Sequence, residues 1–204
     1  MNIDGVLIAG GGASRMGGSE KPLELLCGSP LIEHLIDIVR PQVATLALNV
    51  KEEAATLYGG TATSGLPLIF DRFGGDAGPL GGVLAGLEWA AARGSAWLAT
   101  FPADTPFLPR DLVARLAAEA HRGTPVVAVT DRKVQGLCAL WPVSCQTVLA
   151  EGIEAGRYRS LWWTLDDLGA VRCPFDDTLA FFNVNTKDDL ATAEVMARNR
   201  DGRA

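Results

Sequence analysis

Short apolar runs alternate with amphipathic segments along the first half of the chain. Four of these runs have the length and branching of buried parallel strands, at residues 6–9, 45–50, 66–70 and 96–101. The segments between them predict three helices: one that begins at Pro30 with Ser29 as its cap, one over 83–92 with Pro79 at its start, and one over 109–121. Strands that alternate with helices predict an α/β fold with a mostly parallel sheet between two helical layers, a three-layer α/β/α arrangement.

The second half of the chain continues this pattern with shorter runs. Residues 125–130 and 136–141 predict two strands joined by a hairpin, and residues 144–154 and 160–168 predict two helices. A last strand is predicted at 181–186, followed by a helix that Thr186 caps and whose first turn carries Asp188 and Asp189. We find no internal repeat, low-complexity tract or linker, so a single domain over residues 1–204 is expected.

Charge and composition argue against several classes of function. Asp and Glu number 24 against 18 Lys and Arg, which gives a formal net charge of −6. General nucleic-acid binders and proteins of anionic membranes need a basic face, so neither partner is expected. No apolar run approaches the ~20 residues of a membrane span, and no signal peptide is predicted before the first strand. The 4 cysteines show no C-x-x-C spacing and only 2 histidines accompany them, which argues against a zinc site and indicates free thiols in a cytoplasmic protein.

The stretch after the first strand combines glycines with two cations. Residues 10–12 and 17–18 are glycine, and Arg15 and Lys21 lie in the same loop. Glycine lets backbone N–H groups approach an anion closely, while Arg15 offers a planar fork of donors and Lys21 a compact charge. A Walker A loop does not fit, because Gly18-Ser19 stands where Lys-Ser/Thr is needed, and Arg15 replaces the third glycine of the dinucleotide fingerprint. A phosphate-binding loop for a nucleotide is favoured over a glycine-rich turn without a ligand.

Polar residues follow three of the predicted strands, at the edge where ligands bind in open α/β folds. These residues are Asn49, Asp71 and Asp104. Asn49 has an alternative role in closing a turn, and Asp104 has one in capping the next helix. A lone carboxylate at the position of Asp104 also suits Mg²⁺, which takes one or two protein carboxylates beside phosphate oxygens and water. The segment G-P-L-G-G at 78–82 either packs a helix tightly against a strand or forms a wall on which a base stacks.

The segment A-G-G-G-A-S-R-M-G-G-S-E-K at 9–21, with P-L-I-E-H at 30–34, resembles the signature loop of the molybdenum cofactor guanylyltransferases (MobA-type). The segments at 78–82, 104–106 and 182–186 (F-N-V-N-T) agree with this resemblance. It implies a Rossmann-like nucleotidyltransferase (GT-A-like) domain, with residues 1–110 mainly binding the nucleotide and residues 111–204 mainly binding the acceptor. It also implies transfer of GMP from GTP to Mo-molybdopterin with release of pyrophosphate, which forms the guanine dinucleotide form of the cofactor.

The resemblance assigns roles to individual residues. By motif, the GTP-binding positions fall on Ile8, Ala9, Gly10, Lys21, Asn49, Asp71 and Asp104. The expected catalytic residues are Lys21 and Arg15, which would bind the triphosphate, and Asp104, which would hold Mg²⁺ or Mn²⁺. Asn183 and Asn185 would line the side that receives the pterin. On chemical grounds Asp71 is the candidate acceptor for guanine N1–H and the 2-amino group.

The resemblance further implies a monomer whose small-molecule partners are GTP and molybdopterin, with transient contacts to molybdenum-insertion proteins and recipient apoenzymes. The chain departs from the family pattern at Gln135-Gly136 and at Tyr158, both in the acceptor half. Two alternatives stay open: a related nucleotidyltransferase that uses CTP or a sugar-phosphate acceptor, and a GTP-binding cofactor-delivery module without turnover. The presence of both Lys21 and Asp104 argues against the second alternative.

Overall fold

The structure is a computed structural model that describes residues 1–9, 15–16, 19–59, 63, 65–71, 73, 77–121, 123–131 and 133–201. In this part of the chain seven strands form the central sheet: β1 Ile3–Ile8, β2 Leu46–Asn49, β3 Leu68–Ile69, β4 Trp97–Pro102, β5 Val126–Thr130, β6 Lys133–Pro142 and β7 Val171–Pro174. Their order across the sheet is β7-β5-β6-β4-β1-β2-β3. Every pairing is parallel except those of β6, which runs antiparallel to both β4 and β5.

Helices cover both faces of this sheet. They are α1 Leu31–Val39, α2 Pro79–Ala92, α3 Leu112–Ala118, α4 Cys145–Glu154, α5 Leu161–Asp167 and α6 Lys187–Asp201. Leu7 of β1 belongs to the core that holds α1 and α3, whereas Val6 and Ile8 belong to the core that holds α2, α4 and α5. This alternation along β1 is the period of a strand buried on both faces. The predicted three-layer α/β/α fold with a mostly parallel sheet is therefore confirmed.

Shorter elements connect the layers. Two small antiparallel pairs precede α1, formed by Arg15–Met16 with Ser19–Glu20 and by Leu25–Leu26 with Ser29–Pro30. Four 3₁₀ helices are described, at Lys21–Leu23, Arg40–Gln42, Glu52–Tyr58 and Thr178–Phe181. Within the described ranges, no helix is both long and apolar enough to traverse a bilayer.

The last helix, α6, packs at the end of the molecule rather than on the sheet. Its Ala193 lies in a small apolar cluster with Val184, Leu31 at the start of α1, and Phe107 in the loop after β4. This packing brings the segment before α6 close to the loop that follows β4, and the backbone N–H of Val184 donates to the carbonyl of Asp104 at 2.9 Å. The segment before α6 therefore lies beside the loop after β4, although the two are far apart in the sequence.

Two predicted features are wrong. Residues 181–186 do not form a strand, because the 3₁₀ helix Thr178–Phe181 precedes them and the Val184 N–H bonds to a loop carbonyl instead of a neighbouring strand. Ser29 does not cap α1, since Pro30 occupies the N-cap position without a side-chain hydrogen bond and Ser29–Pro30 pairs with Leu25–Leu26 instead. Strand β7 is an addition that the apolar pattern does not predict.

Candidate active site

The carboxyl ends of β1, β2 and β4 meet at one edge of the sheet. The Ala9 N–H donates to the carbonyl of Asn49 at 2.9 Å, and the Ala103 N–H donates to the carbonyl of Ile8 at 3.2 Å. These bonds extend the parallel pairing past the strands, so the residues that follow each strand lie side by side. This is the edge at which open parallel sheets bind ligands.

Lys21 lies at this edge and is only 4% exposed, which is unusual for a lysine. Its Nζ donates to Oδ1 of Asn185 at 2.8 Å and lies 3.5 Å from Oδ2 of Asp104. The nearer partner is a neutral amide, and the distance to the carboxylate exceeds that of a strong charge-assisted bond, about 2.7–2.9 Å. The ammonium and the carboxylate are therefore adjacent without neutralising each other fully.

The Asp104 carboxylate is positioned by the residue after it and by the segment before α6. The hydroxyl of Thr105 lies 2.8 Å from Oδ1 of Asn183 and 3.3 Å from Oδ1 of Asp104. Thr105 is buried, whereas 23% of the Asp104 side chain is exposed. The hydroxyl has one proton, which the shorter distance assigns to Asn183, so the Asp104 carboxylate lies beside Thr105 and stays partly open to solvent.

A cleft opens in front of Lys21 and Asp104. Its lining combines these two charges with apolar and proline side chains from both halves of the sequence: Ile8, Ala9, Lys21, Pro22, Pro79, Pro102, Ala103, Asp104, Leu137 and Asn185. A cation, an anion and a carboxamide thus face a cavity with apolar walls. This composition suits a ligand that has a flat apolar part and a charged part.

Asn49 lies beside the cleft under the first turn of α2. It is 1% exposed, its Nδ2 donates to the carbonyl of Ile69 at 3.2 Å, and its Oδ1 accepts no hydrogen bond from any described residue. A Cβ on Gly82 would lie 2.4 Å from that oxygen, so the helix approaches Asn49 as closely as only glycine permits. The segment at 78–82 therefore packs tightly, as one of its two interpretations expects, and a buried acceptor remains beside it.

Asp71 occupies the neighbouring position after β3. Its Oδ1 accepts the backbone N–H of Phe73 at 3.0 Å, and a Cβ on Gly81 would lie 2.9 Å from its Cγ. Asp71 therefore faces the first turn of α2 with one oxygen already used by its own loop.

The two departures in the acceptor half have structural explanations. Tyr158 is buried, and its hydroxyl donates to Oδ2 of Asp167 at 2.6 Å. Burial, followed by this hydrogen bond, raises the pKa of Tyr158 above its ordinary value. Gly152 of α4 leaves room for the Tyr158 ring, since a Cβ there would lie 2.0 Å from that ring. Nε2 of Gln135 donates to the Thr130 hydroxyl at 2.7 Å. Tyr158 thus packs between α4 and α5, and Gln135 bonds across the hairpin of β5 and β6.

A divalent cation at this cleft would have few protein ligands. Among the residues that the structure describes, no three histidine, cysteine, aspartate or glutamate side chains form a metal-binding group. A lone carboxylate beside a ligand cleft nevertheless fits Mg²⁺ or Mn²⁺ held jointly by protein, phosphate and water. Asp104, partly exposed beside Lys21, has this arrangement.

The candidate residues thus fall into three groups. Ile8, Ala9, Lys21, Asp104 and Asn185 line one cleft; Asn49 and Asp71 lie under α2 beside it; and Asn183 acts on the Thr105 hydroxyl. Gly10 and the side chain of Arg15 lie outside the described residues. The predicted Thr186 cap of α6, with Asp189 in the first turn, is present, since the Asp189 N–H donates to the Thr186 hydroxyl. The places of Thr105 and Leu137 at the site were not predicted.

Comparison with known proteins identifies the family of this chain. A family model described as the MobA-like NTP transferase domain matches residues 5–168. A molybdenum cofactor guanylyltransferase from Cereibacter sphaeroides is 41% identical over 198 residues, which cover 97% of this chain and 98% of the relative.

Solved structures share the fold. The molybdopterin-guanine dinucleotide biosynthesis protein A from Archaeoglobus fulgidus has a TM-score of 0.74 at 24% identity, covering 98% of this chain and 100% of that one. A protein from Mycobacterium tuberculosis, solved in complex with manganese, has a TM-score of 0.68 at 18% identity, covering 96% of this chain and 98% of that one. The match of the family model to most of the chain, and the near full-length relative, establish that this chain belongs to the MobA-like NTP transferase family.

Proposed function

We propose that this chain is a molybdenum cofactor guanylyltransferase, which transfers GMP from GTP to the terminal phosphate of Mo-molybdopterin and releases pyrophosphate. The observation that carries the proposal is the meeting of Lys21 and Asp104 in one cleft at the carboxyl edge of the sheet. The relative from Cereibacter sphaeroides, which carries the name of this activity, supports it.

The chemistry asks for positioning and charge compensation. An oxygen of the acceptor phosphate attacks the α-phosphorus of GTP, a P–O bond forms, and the bond to pyrophosphate breaks. The attacking oxygen is already anionic, so no general base is required. Lys21, with the glycine loop and Arg15, would hold the triphosphate and compensate the charge that builds on the leaving pyrophosphate.

Asp104 is the residue that would hold Mg²⁺, with Mn²⁺ as the possible substitute. The ion would supply shielding of the triphosphate charge when bound. The Thr105 hydroxyl beside this carboxylate lies closer to Oδ1 of Asn183 and would donate its one proton there, which leaves lone pairs of Asp104 for a metal ion.

Base selection belongs to the residues under α2. Asp71 would accept hydrogen bonds from guanine N1–H and the 2-amino group, and the unpaired Oδ1 of Asn49 is a further acceptor at the same place. Guanine offers this adjacent pair of ring N–H and amino donors and cytosine does not, and a site with buried acceptors rejects a base that leaves them unpaired. Residues 1–110 then form mainly the nucleotide half, and residues 111–204, with Asn183 and Asn185, mainly the acceptor half.

We further propose that the protein works in the cytoplasm as a monomer, with GTP and molybdopterin as its substrates. It would pass its product to molybdenum-insertion proteins and recipient apoenzymes by transient contact. A net charge of −6 supports the expectation that nucleic acids and anionic membranes are not partners.

The test is pyrophosphate release from each of GTP, CTP and ATP in Mg²⁺, with molybdopterin, with a sugar phosphate and without an acceptor, beside a separate measurement of GTP binding. We expect release only with GTP and molybdopterin together, and formation of the dinucleotide by mass spectrometry. Release with CTP or with a sugar phosphate would favour a related nucleotidyltransferase. GTP binding without turnover under any of these conditions would favour the delivery module.

A further inference from the structure

A chain of hydrogen bonds runs from the first turn of α6 to the cleft. Oδ2 of Asp189 accepts the backbone N–H groups of Asn185 at 3.0 Å and Thr186 at 2.9 Å, and the Asp189 N–H donates to the Thr186 hydroxyl at 3.1 Å. These reciprocal hydrogen bonds form a capping box in which aspartate replaces the usual glutamate or glutamine. It fixes the backbone of Asn185 at the point where the chain enters the helix.

The Asn185 side chain carries that constraint to Lys21. Its Oδ1 lies 2.8 Å from the Lys21 Nζ, closer than the Asp104 oxygen at 3.5 Å. A lysine stem has four rotatable bonds, so its ammonium stays at one place only when a partner holds it. Asn185 is therefore the nearer of the two described partners that hold the Lys21 charge within the cleft.

Three residues of this chain of hydrogen bonds lie outside the matched family domain. The family model ends at residue 168, whereas Asn185, Thr186 and Asp189 all follow it. The nearest hydrogen-bond partner of the Lys21 ammonium among those described is thus supplied by the C-terminal segment, across a separation of 164 residues.

We propose that Asp189 is a positioning residue for nucleotidyl transfer: by capping α6 it fixes Asn185, and Asn185 aims the Lys21 ammonium into the cleft. The kinetic part of this inference rests on the proposed function; the structural part does not. It gives the C-terminal helix a task in the reaction in addition to its packing against Leu31 and Phe107.

The kinetic test compares three variants of the full chain. Asp189→Ala removes the cap, Asp189→Glu restores a carboxylate of the kind found in capping boxes, and Asp188→Ala removes the same charge one residue earlier. We expect Asp189→Ala to lower kcat about 10-fold, with KM for GTP changed by less than about 3-fold. Asp189→Glu should recover most of the loss, and Asp188→Ala should stay within about 2-fold of the wild type.

A double variant separates positioning from general destabilisation. If Asp189 acts through Asn185, adding Asp189→Ala to Asn185→Ala should lower kcat much less than it does in the wild type. A purely structural cap would lower kcat by the same factor in both backgrounds. Far-UV circular dichroism confirms that each variant is folded.

A chemical readout makes the inference independent of turnover. Lys21 is 4% exposed, so acetylation of its amine by an N-hydroxysuccinimide ester, followed by peptide mass spectrometry, should be slow in the wild type and Asp188→Ala. It should be several-fold faster in Asp189→Ala and slow again in Asp189→Glu. Equal labelling and equal kcat in Asp189→Ala and Asp188→Ala would overturn the proposal. If the wild type releases no pyrophosphate, the proposed function fails. The labelling result alone then decides whether Asp189 holds the Lys21 ammonium in place.

Discussion

The side chain that distinguishes this site is a lysine with almost no exposure. Burying an ammonium costs free energy unless polar groups replace its water, and here Asn185 at 2.8 Å and Asp104 at 3.5 Å take that role. Because the nearer partner is neutral, the positive charge is held in place and still available to an anion. Lys21 and Asp104 thus form a pair of opposite charges at the cleft, and in the proposed function this pair would receive a triphosphate and a cation.

Asp104→Asn tests the carboxylate of this pair. The amide keeps the shape of the side chain and its contact with Thr105, but it removes the charge that would hold the divalent ion. We expect kcat with GTP and molybdopterin to fall about 10²–10³-fold at ordinary Mg²⁺. The exposed Asp176→Asn serves as a control of equal charge change. Turnover close to the wild type would remove Asp104 from the reaction.

Helix α2 shows how an element can be shaped by the site beside it. Its first residues are Pro79-Leu80-Gly81-Gly82, and each glycine inside a helix costs about 1 kcal/mol relative to alanine. The close approach of Gly81 to Asp71 and of Gly82 to Asn49 accounts for this choice. The two glycines lower the helix propensity of α2 but allow it to pack against two polar side chains.

Gly82→Ala sets these two effects against each other. Helix propensity alone would raise stability by up to about 1 kcal/mol, whereas the new Cβ would lie 2.4 Å from the Asn49 oxygen. We expect steric strain to dominate and the free energy of unfolding to fall by about 1–3 kcal/mol, measured by urea denaturation. Ala191→Gly, at an exposed interior position of α6, reports the propensity effect alone. Stability equal to or above the wild type would mean that Asn49 moves aside freely.

Because the carboxylate of Asp189 caps α6, the stability that this cap contributes should depend on pH. Hydrogen bonds, first from the Asn185 N–H and then from Thr186, hold the pKa of Asp189 below its ordinary value of 3.8. A lowered folded-state pKa stabilises the protein fully above the unfolded-state pKa, and that contribution is lost as pH falls through the folded-state value. The difference in melting temperature between the wild type and Asp189→Ala should therefore stay constant from pH 7 to about 5 and shrink below pH 3.8. A difference that widens in acid would contradict this sign.

The elements were predictable where local pattern decides them and not where distant residues do. Strand β7 reads Val171-Arg172-Cys173-Pro174, in which only Cys173 is buried, so an edge strand of this kind gives no apolar run. Residues 181–186 carry buried Phe181 and Val184 and resemble a strand, but their backbone bonds to the loop after β4. The hairpin of β5 and β6 was predicted and is confirmed, whereas the antiparallel pairing of β6 with β4 is a long-range contact that no local pattern records.

The residues of the site were likewise predictable only where a local pattern or a fold rule places them. The rule that ligands bind at the carboxyl ends of parallel strands placed Asn49, Asp71 and Asp104 at one edge, where the structure also has them. The bond between Lys21 and Asn185 spans 164 residues and has no signature in either segment alone. Asn185 was therefore assigned only to the acceptor side, while its contact with Lys21 emerges from the packing of α6.

At the scale of the whole molecule, residues 1–110 and residues 111–204 share one sheet and the core on its α1 side. The core on the α1 side contains residues from Ile3 to Phe181, and the antiparallel strand β6 pairs with β4 of the first half and β5 of the second. Leu140 of β6 is fully buried and lies opposite Ala99 on one side and Val126 on the other. The halves should therefore unfold together, as expected for a single domain over residues 1–204.

Leu140→Ala tests that cooperativity. Removing this side chain should lower the free energy of unfolding by about 2–5 kcal/mol, because a cavity opens between both halves. In urea, tryptophan fluorescence and far-UV circular dichroism should each report one transition, and the variant should shift both midpoints equally. Val195→Ala, 56% exposed on α6, should change stability by about 0.5 kcal/mol or less. Separate transitions, with only one of them moved by Leu140→Ala, would show that the halves are independent folding units, because only one half would then depend on the strand that joins them.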